Sequence, residues 1–474
     1  MALLRGLAIA AGVGWAVAFI AVALRFELQL YADGSLFSYA VAARDAWALH
    51  WHNISGRLLV YLYALWPAET YVALSGDARG GIALYGFLFH AAPLLGLALT
   101  FAIDRSRGRV VFATACASTA CLCPLVFGFP TEMWLAHALF WPALAVSLRA
   151  RAGIGGAGAM FVALLALMLT HEGAVVLAAA IVAILTLRGW RDAALPWAAG
   201  AFVASLAAWA GVKLALRPDD YFASIVEDAA RYFINAGNFT RPVFLLLLAA
   251  LAAYGIVVLL LRRQPATVAS SCAAALVAAA LGVYWLWFDR SLHGDDRYAL
   301  RTVLLVVTPV LGALAAATAI RDEGRLGTWI AFLPRLLAAL AEARAVRAVM
   351  GAVLLVTLIN TVETAKFVAA WMDYKAAVRA LAMGGASDPA LGDLRFVSSA
   401  RIGPGLNRLA WSSTTHFLSV LLAPGFAPAR LVVDPGNNYV WLSCAMARAS
   451  ERADRAIPVE SRRLIRVHAC GRRP

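Results

Sequence analysis

Stretches of roughly twenty apolar residues recur along this chain, and the connections between them are short and charged. The first, residues 3–24, reads LLRGLAIAAGVGWAVAFIAVAL and holds a single charge, Arg5. About 20 helical residues cross a hydrocarbon core of about 30 Å. In lipid every backbone polar group must be satisfied internally, so a segment of this kind has few folds open to it. Hydrophobic residues make up 62% of the 474 and charged residues 14%, more apolar surface than a soluble domain can bury. The expected fold class is mainly α, a polytopic transmembrane helical bundle.

Eleven spans are expected, at residues 3–24, 80–102, 110–128, 132–148, 157–170, 174–187, 193–214, 242–261, 267–288, 302–320 and 347–370. Residues 157–187 invite two readings, one long tilted helix or two short ones hinged at Thr170, His171, Glu172 and Gly173. A His-Glu pair at the centre of one helix is expensive in lipid. Arg149 and Arg151 precede the segment and Arg188 and Arg191 follow it, so an even number of crossings keeps all four on one side. Two short helices are therefore expected.

Charge also orients the chain. Arginine concentrates in the loops 104–109, 149–151, 188–192, 262–263 and 321–347. Basic residues near span ends stay in the cytoplasm, which marks these loops as inside. An inside N-terminus, a retained signal anchor without a cleavage site and an odd span count put the C-terminus outside. The expected location is a bacterial inner membrane, with the N-terminus cytoplasmic and the C-terminal domain periplasmic. The net charge of +14 does not imply a nucleic-acid partner, since the arginines follow membrane topology. About half of it lies beyond residue 370, where fourteen Lys and Arg face seven Asp and Glu; long segments translocate largely regardless of charge.

Two units are expected: a transmembrane part at 1–370, including a first extracytoplasmic loop at 25–80, and a small α/β domain at 371–474. In the loop, residues 35–47 read as an interfacial helix, with Asp33-Gly34-Ser35 as its turn and cap. Residues 57–66 are too short to span and are expected at the membrane surface; a second amphipathic stretch covers 219–233. In the tail, residues 394–398, 430–433 and 463–468 read as strands and 438–456 as helix. Cys444 and Cys470 can pair if the tail is outside, whereas Cys116, Cys121, Cys123 and Cys272 read as small core residues.

The residues that carry chemistry fall in the connections opposite the arginine-rich loops. Asp33, just past the first span, suits a general base toward a hydroxyl, because partial desolvation raises a carboxyl pKa into a useful range; a helix cap accounts for it as well. His171 and Glu172 form the most expensive polar pair of the membrane region and are expected to line the site. Glu132 opens a span, where an acid also suits the helix dipole. Arg44, Arg57 and the cluster His293, Asp295, Asp296, Arg297, Tyr298 and Arg301 offer guanidinium forks for a phosphate, or ion pairs and interfacial anchors. His50 and His52, two residues apart, do not share a helix face, so contact with a sugar or lipid head group is expected rather than a metal site.

This layout resembles the GT-C superfamily of polytopic glycosyltransferases along the whole chain. The shared features are an inside N-terminus, an acidic residue (Asp33) soon after span one, a helix at 35–47, many spans and a C-terminal extracytoplasmic unit. The family's paired acidic motif is represented here by Asp33 alone, so no divalent metal has a paired acidic motif to hold it. The resemblance implies a polyprenyl-phosphate-linked sugar donor in the bilayer, an acceptor that is a glycan, lipid or protein, and Asp33 as the base that deprotonates it. A lipid-carrier polymerase or ligase, a transporter or flippase, and a non-catalytic relative are the alternatives.

Overall fold

Helices packed side by side build almost the whole structure, a computed structural model. It describes residues 2–47, 57–106, 108–122, 131–186, 192–215, 343–384, 395–407, 409–411, 414–434 and 456–471, with isolated positions at 268–317 and 444–448. Helix α1 (Ala2–Phe26) leads through a 3-10 turn (Leu28–Leu30) into α2 (Asp33–Ala42). After residue 57, α3 (Leu58–Val60), a π turn (Tyr61–Leu65) and α4 (Trp66–Ser75) follow one another without a break. Then come α5 (Ala78–Ile103), α6 (Val110–Leu122), α7 (Glu132–Arg149), α8 (Ile154–Met168), α9 (Ala174–Leu185) and α10 (Ala194–Ala215). Local chemistry sets the boundaries. Gly76, at φ 71°, ends α4 in the left-handed region, and the Asp77 carboxylate caps α5 by accepting from Gly80 N at 2.9 Å.

Among the described residues three helices are long and apolar enough to cross a membrane, Arg5–Phe26, Ala78–Ile103 and Ala194–Ala215, and Val110–Leu122, Ile154–Met168 and Ala174–Leu185 are shorter apolar helices. Their outer faces expose Val17, Leu99, Phe101, Val162, Val176 and Val203, side chains that suit contact with lipid tails. Residues 157–187 are two helices, broken between Met168 and Ala174. The expected spans at 242–261, nearly all of 267–288 and part of 302–320 lie outside the described residues, as does the stretch 219–233. Residues 347–370 belong to one long helix, α11 (Ala343–Gly384).

The two ends of the bundle are closed by different contacts. At one end Arg5 lies over Gly108, Arg109 stacks on the Phe101 ring, and Arg149 Nη1 donates to Ile103 O at 2.8 Å. At the other end the Phe26 carbonyl accepts from Trp371 Nε1 at 3.0 Å and from Lys375 Nζ at 2.8 Å. Trp15 Nε1 donates to Thr361 Oγ1 at 3.2 Å, so α11 runs parallel to α1 toward this second end.

Beyond α11 the chain folds back over the second end. Strands β1 (Phe396–Ser398) and β2 (Leu431–Val433) pair in parallel, Val397 opposite Val432, with α12 (Thr415–Leu422) against them. One continuous buried cluster runs from α1 through α2 and α11 into this unit. Two expectations are corrected here. Residues 463–468 are not a strand but part of α13 (Val459–Gly471), because Ser461, Leu464, Ile465 and Ala469 recur at helical spacing and are all buried. The helix expected at 35–47 is α2, and it is not interfacial: Gly34–Ala42 are all buried, with Ser35 Oγ donating to Thr414 O at 3.2 Å and Phe417 tilted 5.0 Å from Tyr39. Cys444 and Cys470 are disulfide-bonded.

Small residues let the helices meet closely, the usual device where lipid supplies no hydrophobic drive. A Cβ at Gly12 would collide with the Cys116 carbonyl of α6, whereas one at Gly14 would meet nothing within 4 Å. Gly12→Val should therefore cost roughly 1–3 kcal/mol and lower the melting temperature in detergent. Gly14→Val should leave it unchanged.

Candidate functional site

Three of the expected site residues meet at the second end of the bundle, in direct contact around one guanidinium. Arg57 sits just before α3, where Leu59 N donates to Leu169 O at 3.1 Å and so ties this segment to the end of α8. Its Nη1 lies 2.5 Å from Glu132 Oε1, at the start of α7. Its Nη2 and Nε lie 3.0 Å and 3.1 Å from Glu172 Oε2, in the break between α8 and α9. The other oxygen of Glu172 is 2.5 Å from Lys213 Nζ, near the end of α10. Two cations and two carboxylates thus alternate as Glu132–Arg57–Glu172–Lys213, with zero net charge.

His171 adjoins this network without being part of its charge. Its Nδ1 accepts from Gly173 N at 2.9 Å, which makes the neutral ring the Nε2–H tautomer. Nδ1 stands 3.8 Å from Glu172 Oε2. Burial, reinforced by the Arg57 charge, pushes the imidazole down to about 4, against the weaker pull of Glu172 and Glu132. Glu172 moves the other way in effect. Burial alone raises its carboxyl, but Arg57, His171 and Lys213 together hold it well below the usual carboxylate range.

Asp33 reaches the same region from α2. It is the first residue of the helix, and the cap position falls on Ala32, with φ 52° and ψ −129°. Such a φ is strained for a residue with a Cβ. Asp33 and Phe37 are four apart and share a helix face, and the Phe37 ring packs edge-on against Tyr85 of α5, centroids 6.3 Å apart. Both Glu132 and Asp33 act electrostatically on the Tyr85 phenol. Tyr85 is therefore within electrostatic range of both Glu132 and Asp33.

The other candidates are placed differently. Arg44 is exposed beyond the far end of α2, about 15 Å from Asp33 at 1.5 Å per helical residue. His50, His52, His293, Asp295, Asp296, Arg297, Tyr298 and Arg301 lie outside the described residues. Among the described residues no group of three or more His, Cys, Asp or Glu side chains is placed to hold a metal ion. Lys213 and Tyr85 were not expected from the sequence. Lys213, one of only three lysines, carried a signal in its rarity, whereas Tyr85 sits in an apolar span that gives it none. In comparisons with known proteins, the chain matches no family model, no curated protein and no solved structure.

Two outcomes follow from the network. Removing Arg57 leaves Glu132 and Glu172 facing each other with the shared cation gone, a loss of about 3–5 kcal/mol. Thermal unfolding of Arg57→Ala measures it, and adding Glu132→Leu should restore part of the loss. For His171, the unfolded chain takes up a proton near pH 6.5 and the folded protein only near pH 4. Between those values the unfolded state holds more protons, so stability falls as pH falls. His171→Asn should flatten that slope in melting curves recorded from pH 7 to pH 4.

Proposed function

We propose that this protein is an integral-membrane glycosyltransferase that moves a sugar from a polyprenyl-phosphate-linked donor to a hydroxyl of a glycan, lipid or protein acceptor. In this reading the chain crosses the membrane eleven times, with its N-terminus cytoplasmic and its C-terminal unit on the periplasmic side. The observation that carries it is the gathering of Asp33, Tyr85, Glu132, Arg57, Glu172 and Lys213 at the bundle end opposite Arg5, Arg109 and Arg149. Basic residues at the first end fit a cytoplasmic face. The Cys444–Cys470 disulfide fits an oxidising compartment at the second.

The reaction is a single displacement. The acceptor hydroxyl oxygen attacks the anomeric carbon while its proton passes to the Asp33 carboxylate. The bond from that carbon to the phosphate oxygen breaks, and polyprenyl phosphate leaves with the electron pair. One displacement inverts the anomeric configuration. Arg57 has a different task from the phosphate clamp expected of it, because its fork is already shared by Glu132 and Glu172. It holds two carboxylates in fixed positions, and the donor phosphate falls to Arg297 or Arg301. His171 and Glu172 then support the site by positioning. A transporter reading calls for charged side chains deep within several spans; Glu132, Glu172 and Lys213 sit at or near helix ends.

Asp33→Asn tests the mechanism. Reconstituted protein carrying it should transfer labelled sugar from a polyprenyl-phosphate donor about a hundredfold more slowly or worse, with an unchanged melting temperature. Wild-type transfer by this variant would overturn the assignment of Asp33 as base.

A further inference from the structure

Tyr85 is fully buried, and its hydroxyl has no hydrogen-bond partner among the described residues. A buried polar group left in this state lowers folding stability, so a chain that retains it commonly uses it. Phenylalanine would fill the same space against Phe37 and Phe89, whose rings lie 6.3 Å and 5.6 Å from Tyr85, without that loss. The feature needing an account is therefore the oxygen atom, and not the ring.

From the unpartnered Tyr85 hydroxyl, packed through Phe37 onto the face of α2 that begins with Asp33, we infer that Tyr85 is a ligand-binding residue that donates a hydrogen bond to a hydroxyl group of a neutral polyol. The surroundings select that chemical class. Asp33 and Glu132 both bear on the phenol, and ionised carboxylates only accept hydrogen bonds. A ligand that satisfies the whole arrangement must accept from Tyr85 and donate to a carboxylate. A hydroxyl does both. A phosphate or carboxylate only accepts and so has nothing to donate to a carboxylate, while an ammonium only donates and leaves the phenol unsatisfied. The inference rests on the proposed function solely for the origin of that hydroxyl, which is either the sugar of the lipid-linked donor or a sugar acceptor.

The test uses full-length wild-type protein and Tyr85→Phe in lipid nanodiscs, with three probes: a polyprenyl-phosphate-linked hexose, bare polyprenyl phosphate and a methyl hexoside. Without any probe, the variant should melt at or above the wild-type temperature. With the linked hexose its affinity should fall about tenfold, the worth of one hydrogen bond of this kind, and affinity for bare polyprenyl phosphate should not change. That result places the hydroxyl on the donor sugar. The same fall confined to the methyl hexoside places it on the acceptor. A lower melting temperature in the ligand-free variant would show the hydroxyl already serving the fold and overturn the inference. So would unchanged affinity for both sugars, or a wild-type protein indifferent to them. Wild-type protein that binds the linked hexose without ever transferring it would instead overturn the proposed reaction and leave the Tyr85 assignment standing.

Discussion

One guanidinium holds the polar end of this molecule together. Arg57, Glu132, Glu172 and Lys213 come from four separate stretches of chain, and ion pairs to two carboxylates bring them to one place. Arginine suits the central position better than lysine, because its planar fork faces two acceptors at fixed angles. Every member except Glu172 is almost wholly buried, so each charge depends on its neighbours to offset the loss of water. The arrangement fixes where α7, the α8–α9 break, the α10 end and the segment entering α3 stand relative to one another. Its neutrality does not make it silent, since Glu132 acts on the Tyr85 phenol more strongly than Asp33 does.

Strain collects beside that carboxylate. Ala32 occupies a backbone region that favours glycine, a cost of order 1–3 kcal/mol. The surrounding contacts over-determine it: α2 is enclosed, Ser35 Oγ donates back to Ala32 O at 2.8 Å, and Ser38 Oγ donates to Gln29 O at 3.2 Å. The direction in which Asp33 enters its helix is thus imposed by tertiary packing. The cap position falls on Ala32, which has no side-chain oxygen to offer.

Features governed by local sequence or by charge parity were the legible ones. The division of residues 157–187 into two helices followed from the cost of a central His-Glu pair and from the arginines on both flanks. The approach of Arg57 to Glu132 and Glu172 was legible only as shared sidedness, because which cation pairs with which anion depends on packing that no local pattern encodes. Nothing about Lys213 beyond its rarity among arginines marks it in sequence, and Tyr85 is one more aromatic of an apolar span. In the tail, residues 463–468 alternate well enough to imitate a strand; the helical spacing of Ser461, Leu464, Ile465 and Ala469 shows only over a longer window. Residues 35–47 look amphipathic beside water, and nothing nearby in sequence announces the distant helix that covers them.

That cover has a consequence for how the molecule is made. Ser35 and Thr414 are 379 residues apart, and α12 is synthesised long after α2 has emerged. Throughout that interval the helix bearing Asp33 lacks one of its walls, and the strained geometry at Ala32 lacks part of what enforces it. The early helices can pack in order from the N-terminus, but α2 is fully enclosed only when α12 has docked on it. A nascent chain that has not yet reached α12 would accordingly carry α2 with one side uncovered.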